Sequence, residues 1–408
     1  MIKQTVFLLI LALLLTACGS APVENSTDLM SEVPARIVCL AEHPDRGTEA
    51  ADFALTLFRE NLDRETNTLV SPLSVLLALG MTANGAEGDT LAQMEAALGS
   101  DIQNLNYWLY AFMDGQNDQL KLANAIWFRD HGLSVKDSFL ETNANYYQAG
   151  LYQAPMDNST ADAINTWVEE HTDGMIPKIL EKMDPTTVMC LVNALAFDAK
   201  WEEIYLEYQV EESTFHTASG LPRTVESMHS TEHAYLEDEN ATGFVKYYEG
   251  RNYGFAALLP KEGISIEDYV NSLTGENLRA LLANPEQITT FAVLPKFESE
   301  FSAELSDTLK TMGMTQAFDS SAADFSRLGT SEDGNIYISQ VLHKTFISVT
   351  EQGTRAGAAT AVEMVAEGAM EIVDFKEVVL DRPFVYMLID CETNLPFFIG
   401  TMMDVNGD

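Results

Sequence analysis

His229 and His233 stand four residues apart, the spacing that sets two imidazoles on one helix face and lets them share a divalent metal. Their segment, Ser227-Met-His-Ser-Thr-Glu-His-Ala-Tyr-Leu236, carries no helical apolar period, so it reads as a solvated loop and not as a metal site. Cysteine offers no better start. Cys39, Cys190 and Cys391 form no CxxC pair and give neither zinc-ligand spacing nor a disulfide framework. They read as buried or free thiols, with a Cys39–Cys391 bridge left open. There is no GxSxG elbow, no P-loop, no GxGxxG after a strand and no HExxH. Asp and Glu total 62, so a chance carboxylate pair carries no information. A Ser-His-Asp set is defined by geometry and not by spacing, and nothing in the sequence points to one. No enzyme activity, metal or cofactor is expected.

The informative segment is Glu351-Gln-Gly-Thr-Arg-Ala-Gly-Ala-Ala-Thr-Ala-Val-Glu-Met-Val-Ala-Glu367. Its core is a run of small residues, which leave the backbone free and let it pass between close neighbours. Strand alternation from Thr354 puts Thr354, Ala356, Ala358, Thr360, Val362 and Met364 on one face. That face is entirely small or apolar, while Arg355 and Glu363 fall on the other. This is the pattern of a half-buried strand, yet Ala and Gly are poor strand formers. A segment that can be a strand without insisting on it fits two states. The same composition also fits an Ala-rich linker or a short helix.

The elements that must hold this segment divide by position. The first half reads as helical. Thr48 to Asn61 has a helical period, with Phe53, Leu57, Phe58 and Leu62 on one face. Ser71-Pro72 starts a helix, since Ser caps and Pro suits the first turn, and the apolar run Leu73 to Met81 predicts burial on most sides. Ala92 to Leu98 is a further helix, stopped by Gly99, and Ala161 to Glu170 turns Ile164, Trp167 and Val168 inward. The second half reads as strands: Thr187 to Phe197, buried on both faces, then Tyr253 to Pro260, Thr289 to Pro295, Ile336 to Ile338, Thr345 to Val349, Phe384 to Ile389 and Pro396 to Met402. Helices first and strands later predict an α+β domain and not a doubly wound sheet.

Several blocks resemble the serpin family, in the family's order. They are Asn67-Thr-Leu-Val-Ser-Pro-Leu-Ser74 with Leu79-Gly-Met81; Ile164-Asn-Thr-Trp-Val168 with Thr172-Asp-Gly-Met-Ile176; and Leu191-Val-Asn-Ala194 with Phe197 and Trp201. Leu294-Pro-Lys-Phe297, Leu309 to Met314, Ala323-Asp-Phe-Ser326, Val341-Leu-His-Lys344 and Asp381-Arg-Pro-Phe384 come next along the chain. Each block is weak alone; the ordered set, spread over about residues 50–405, is specific.

The resemblance implies a serpin fold: three β-sheets, eight or nine helices and an exposed reactive-centre loop, here about residues 351–378. It implies an inhibitor of serine proteases, a suicide substrate whose cleaved loop inserts into the main sheet while the protease is held as a covalent acyl-enzyme. Glu351, Gly353 and Thr354 match the start of the hinge, and Ala356, Ala358 and Thr360 its inward positions. Ser71, Ser74, Asn193 and His343 match the shutter, the polar cluster under the strands that must part. Trp201 matches the breach, where insertion begins. Lys296 and Glu351 match a family ion pair beside it, worth ~1 kcal/mol or less if exposed. Arg355 departs from the usual hinge Glu, and Gly357 from the commoner Ala; both lie on the outward face. Counting forward from Gly353 puts the scissile bond at Glu367-Gly368, while counting back from Pro383 puts it at Ile372-Val373. The reactive bond is therefore expected within Glu367, Gly368, Ala369, Met370, Glu371, Ile372 and Val373. Glu367 would suit a glutamyl endopeptidase; Ala369, Met370 or Ile372 would suit elastase- or subtilisin-like enzymes. No Arg or Lys lies between Arg355 and Lys376, which argues against trypsin-like targets. The competing reading is a non-inhibitory serpin-fold binding protein, whose hinge would carry bulky or charged inward residues.

The first residues read as a processing segment. Lys3, an apolar run from Val6 to Leu15 and then Leu15-Thr-Ala-Cys18 resemble a bacterial lipoprotein signal, although an ordinary signal peptide with a chance Cys has the same outline. The expected organisation is a signal peptide over 1–17, a lipidated Cys18 and flexible tether over 18–45, and one serpin domain over 46–408. That predicts an exported protein facing the cell surface or periplasm, touching membrane only through its lipid, monomeric, with the extracellular space also open to it. Lys and Arg number 23 and the net charge is −39, so neither nucleic acid nor heparin is expected as a partner.

Overall fold

The computed structural model describes residues 26–34, 38, 45–354 and 374–405. Cys18, Cys39 and the signal segment lie outside the described residues.

The chain opens with a short strand, β1 (Thr27–Asp28), inside the stretch expected to be tether. Helix α1 (Gly47–Asn61) buries Phe53, Leu57 and Phe58, and Leu62 is its half-buried C-cap. After β2 (Thr68–Val70), helix α2 (Pro72–Ala83) starts where Ser71 caps it and buries all 12 of its residues. Helix α3 (Gly88–Leu98) stops at Gly99, whose φ of 70° is a left-handed cap that glycine adopts without a side-chain clash. Next come α4 (Ile102–Asp114), β3 (Leu120–Arg129), β4 (Leu133–Val135), α5 (Asp137–Tyr146), β5 (Gly150–Ala154) and α6 (Asn158–His171), the last capped by Asp157.

The second half adds β6 (Met189–Phe197), β7 (Ala199–Lys200), β8 (Val210–His216), β9 (Pro222–Glu237), β10 (Ala241–Tyr247) and β11 (Tyr253–Pro260). Helices α7 (Ile266–Ser272) and α8 (Gly275–Ala283) precede β12 (Glu286–Pro295), β13 (Phe297–Glu304) and α9 (Ser306–Thr311). The chain ends with β14 (Gly329–Ser331), β15 (Gln340–Thr350), β16 (Gly353–Thr354), β17 (Phe375–Val379), β18 (Phe384–Asp390) and β19 (Leu395–Met402).

Three sheets result among the described residues. The main one has eight strands in the order β1-β5-β3-β6-β15-β16-β7, with β13 paired to β15. The second has nine, β17-β12-β9-β10-β11-β18-β19-β2, with β8 on β9, and β14 with β4 forms the third. Nine α-helices occur among the described residues, and the architecture is the α+β class read from the sequence.

Two expectations need correction. Ile336 to Ile338 is not a strand; both isoleucines are buried against the core, and Ile338 N–H donates to Ala317 O at 2.9 Å. Burial without a ladder gives the same apolar signature. His229 and His233 lie not in a loop but in β9, where four residues span roughly 13 Å, too far apart for one metal. Among the described residues no group of three or more His, Cys, Asp or Glu could hold a metal ion. Cys190 is a buried free thiol and Cys391 a half-buried one.

Candidate functional site

At the centre of the main sheet β6 and β15 run parallel and touch directly, from Gln340↔Cys190 to Thr345↔Leu195. Above that seam they part. β15 continues to Thr350, turns through Glu351 and Gln352, and returns as β16, with Val349 opposite Thr354 and Thr350 opposite Gly353. The other edge of β16 pairs with β7, Gly353 to Lys200 and Thr354 to Ala199, antiparallel on both sides. The first two residues of the expected hinge thus already occupy the sheet. Gly353 has φ 148°, and a Cβ there would run into Ala199 O, so sterics demand glycine. Thr354 is fully buried, and its hydroxyl meets the Tyr248 hydroxyl at 2.5 Å.

A group of aromatic residues holds the turn. Trp201 Nε1–H donates to Thr350 O at 2.8 Å, its backbone N–H donates to Gln352 O, and Tyr205 N–H donates to Glu351 O. Trp201 stacks on Tyr248 with ring centroids 4.4 Å apart and planes 14° apart. Lys246 Nζ lies 4.4 Å from the Tyr205 ring and 2.8 Å from Glu232, an ion pair whose ammonium is withdrawn from solvent. Lys296 Nζ is 3.1 Å from Glu351 and 3.1 Å from Glu226. Burial alone would raise the Glu351 pKa, but its own backbone N–H and the Lys296 ammonium pull it below the usual carboxylate value. Lys296 is held above its ordinary value, because its two carboxylates outweigh the opposing effect of burial.

The polar cluster lies under the seam. His343 and Asn193 face each other in register, and His343 Nδ1 is 2.6 Å from Asn193 Oδ1. Ser71 N–H donates to His343 Nε2 at 3.1 Å, which fixes the tautomer: Nε2 accepts and Nδ1–H donates. Ser74 N–H donates to Ser71 Oγ at 3.4 Å, at the start of α2. Burial pushes the His343 pKa down to about 3, so the ring is neutral. Asn193 Nδ2–H donates to Asn124 Oδ1 at 2.8 Å, and Thr345 Oγ1–H donates to Leu69 O at 2.7 Å.

The structure therefore brings together Ser71, Ser74, Asn193 and His343 at the seam, and Trp201, Lys296, Glu351, Gly353 and Thr354 above it. Ala356, Ala358, Thr360, and the segment from Glu367 to Val373 lie outside the described residues. Tyr248, Tyr205, Asn124 and the Lys246–Glu232 pair escaped the sequence reading. Tyr248, Asn124 and Lys246–Glu232 owe their places to pairing between distant segments, and Tyr205 to the irregular stretch after β7; none gives a local signal of its partner. Chemically the arrangement offers no activated nucleophile. It offers a short strand, β16, paired on both edges above two strands that are still in direct contact.

The family model for Serpin (serine protease inhibitor) matches residues 48–405. An uncharacterized serpin-like protein of Thermococcus kodakarensis is 33% identical over 364 residues, covering 86% of this chain and 84% of its own. The leukocyte elastase inhibitor of Bos taurus is 33% identical over 373 residues, covering 86% of this chain and 96% of its own. Among solved structures, the thermophilic serpin tengpin in its native state is 45% identical, with a TM-score of 0.89 over 93% of this chain and 100% of that one. Tengpin in its latent state, also 45% identical, gives 0.78 over 90% and 100%. The present fold is thus nearer the native form than the latent one. A match over residues 48–405, which reaches into each of the three sheets, places this chain in the serpin family.

Proposed function

We propose that the chain is a suicide-substrate inhibitor of serine proteases. The observation that carries this is the half-begun strand: Gly353 and Thr354 are paired on both edges, while β6 and β15 below them still touch. The protease serine attacks a carbonyl within residues 367–373, forms an ester with the new C-terminus and releases the amine of the following residue. The freed hinge then has a slot to enter. Continuing the two-sided register of β16 sets Ala356 opposite Phe197 and Ile347, Ala358 opposite Leu195 and Thr345, and Thr360 opposite Asn193 and His343. A short hydroxyl would then stand where the Asn193–His343 hydrogen bond now runs. Insertion replaces one parallel contact by two antiparallel ones, which pair somewhat better per residue. About 15 residues at ~3.3 Å each carry the ester tens of ångströms from where it formed.

The bait residues favour elastase-like, subtilisin-like or glutamyl endopeptidase targets. Export and lipidation at Cys18 belong to the same proposal; replacing Cys18 by Ser should move the protein from the membrane to the soluble fraction. The deciding experiment incubates residues 26–408 with pancreatic elastase, subtilisin and a glutamyl endopeptidase. A covalent adduct that survives denaturing electrophoresis is expected with at least one. Clean cleavage by all three without an adduct would point instead to a binding protein on the serpin fold. Sequencing the released C-terminal peptide locates the bond.

A further inference from the structure

Two large aromatic side chains stand exposed side by side just beyond the loop. Phe375 is 61% exposed and Phe291 39%, and their rings meet edge to face at 5.1 Å. Tyr208 and Leu221, the other large apolar side chains exposed among the described residues, pair with no such partner. The pair is rigidly held. β17 runs parallel to β12, with Phe375 opposite Thr289 and Phe291 opposite Glu377, while the alternate residues Ala292 and Val378 are buried beneath. On the same face lie Val293 and Val379, both half-buried, and His229 and Thr231 of β9. From Thr289 to Val293 of β12, and across β17, Glu377 is the carboxylate on this face. In a chain with 62 acidic residues that is a sparsely charged window.

We infer that Phe291 and Phe375 form a docking surface for the protease, on the side of its cleft that binds residues after the scissile bond. The inference rests on the inhibitor reading. Chain geometry selects the occupant. The bond lies between two and eight residues before Phe375, roughly 7 to 27 Å along an extended chain. A protease body seated on that bond has β17 and β12 within its reach. A second copy of this chain is a poorer occupant, because each copy carries a net charge of −39. Aromatic side chains of this kind give binding energy through desolvation and need a partner with an apolar rim. Phe291 is the diagnostic member: it belongs to another strand and cannot act as part of the cleaved peptide.

The test uses Phe291→Ser and Phe375→Ser in the chain spanning residues 26–408. Second-order rates of complex formation are measured with elastase, subtilisin and glutamyl endopeptidase, alongside cleavage of a peptide of residues 360–379. For a protease that is trapped, Phe291→Ser should slow complex formation about tenfold, while the number of inhibitors consumed per complex stays constant. The peptide, which lacks Phe291, should be cleaved at a rate near that of the variant. Unchanged rates in Phe291→Ser with every trapped protease overturn this inference alone. So does a slowing accompanied by more inhibitor consumed per complex, which would indicate a disturbed sheet. Absence of any complex from the unsubstituted chain removes the inhibitor reading and this inference together.

Discussion

Thr354 occupies a slot with no room and no solvent, and its hydroxyl is already committed to Tyr248. Thr354→Arg would ask that slot to take a guanidinium in place of a hydroxyl, a burial that proteins avoid. Cleavage should continue and trapping should fail, seen as a rise of at least about tenfold in inhibitor consumed per complex formed. His343 sets a second expectation. Its pKa is about 3 in the fold against about 6.5 in an unfolded chain. Between these values the unfolded state binds more protons, so stability rises with pH. The contribution is complete above pH 6.5 and is lost as pH falls toward 3, by a few kcal/mol in all. Thermal melts between about pH 4.5 and 6.5, above the range of most carboxylates, should show this slope, and His343→Gln should flatten it. These residues were legible only because Ser71, Asn193 and His343 sit in recognisable blocks. Their hydrogen bonds were not, since no spacing in a sequence records that positions 193 and 343 face each other.

At the scale of elements, capped helices and continuous apolar strands were readable. Ser71-Pro72 and Gly99 mark the ends of α2 and α3, and the run from Met189 to Phe197 is β6. The solvent-facing strands were not. β8 and β9 carry charged and hydroxyl side chains at most positions, and their ladders supply the order that their composition does not. β1 was hidden for a related reason: two polar residues gain a strand only from the edge of β5. That segment is nonetheless anchored. Leu29 N–H donates to Leu151 O at 2.9 Å, Leu29, Met30 and Val33 pack against the core, and Asp28 and Met30 wall a cavity of about 310 Å³ that Asn124 also lines. Removing residues through 34 should free the β5 edge. Hydrogen exchange of Leu151 to Ala154 should quicken by about tenfold or more, with exchange in β18 unchanged. Equal protection in both forms would show that β1 adds nothing to the sheet.

For the whole molecule, the eight-stranded sheet is complete except where β6 and β15 meet as parallel neighbours, and a strand has started to come between them. Under the proposed insertion, the fold described here is not the best-paired state open to the sequence. Cutting the loop with a protease that is not trapped, or after inactivation of the complex, should let the strand complete. Roughly ten new backbone hydrogen bonds at ~1 kcal/mol each would raise the melting temperature on the order of 10 °C or more. Scanning calorimetry of intact and cleaved protein measures this directly, and equal melting points would contradict it. The fold class was legible because helices and strands segregate along the chain. The direct meeting of β6 and β15 below β16 was not, because pairing between distant segments leaves no local signal in the sequence.

The two residues of β16 have a kinetic meaning. Growing a strand resembles growing a helix: the first pairs are the hard ones, because they fix backbone angles before a ladder rewards them. Here that nucleus exists before any protease arrives, set by Gly353 and gripped by Tyr248. In the proposed mechanism cleavage has only to release the far end, and the remaining pairing is propagation. In that mechanism the race against hydrolysis of the ester would start with the first strand pairs already in place.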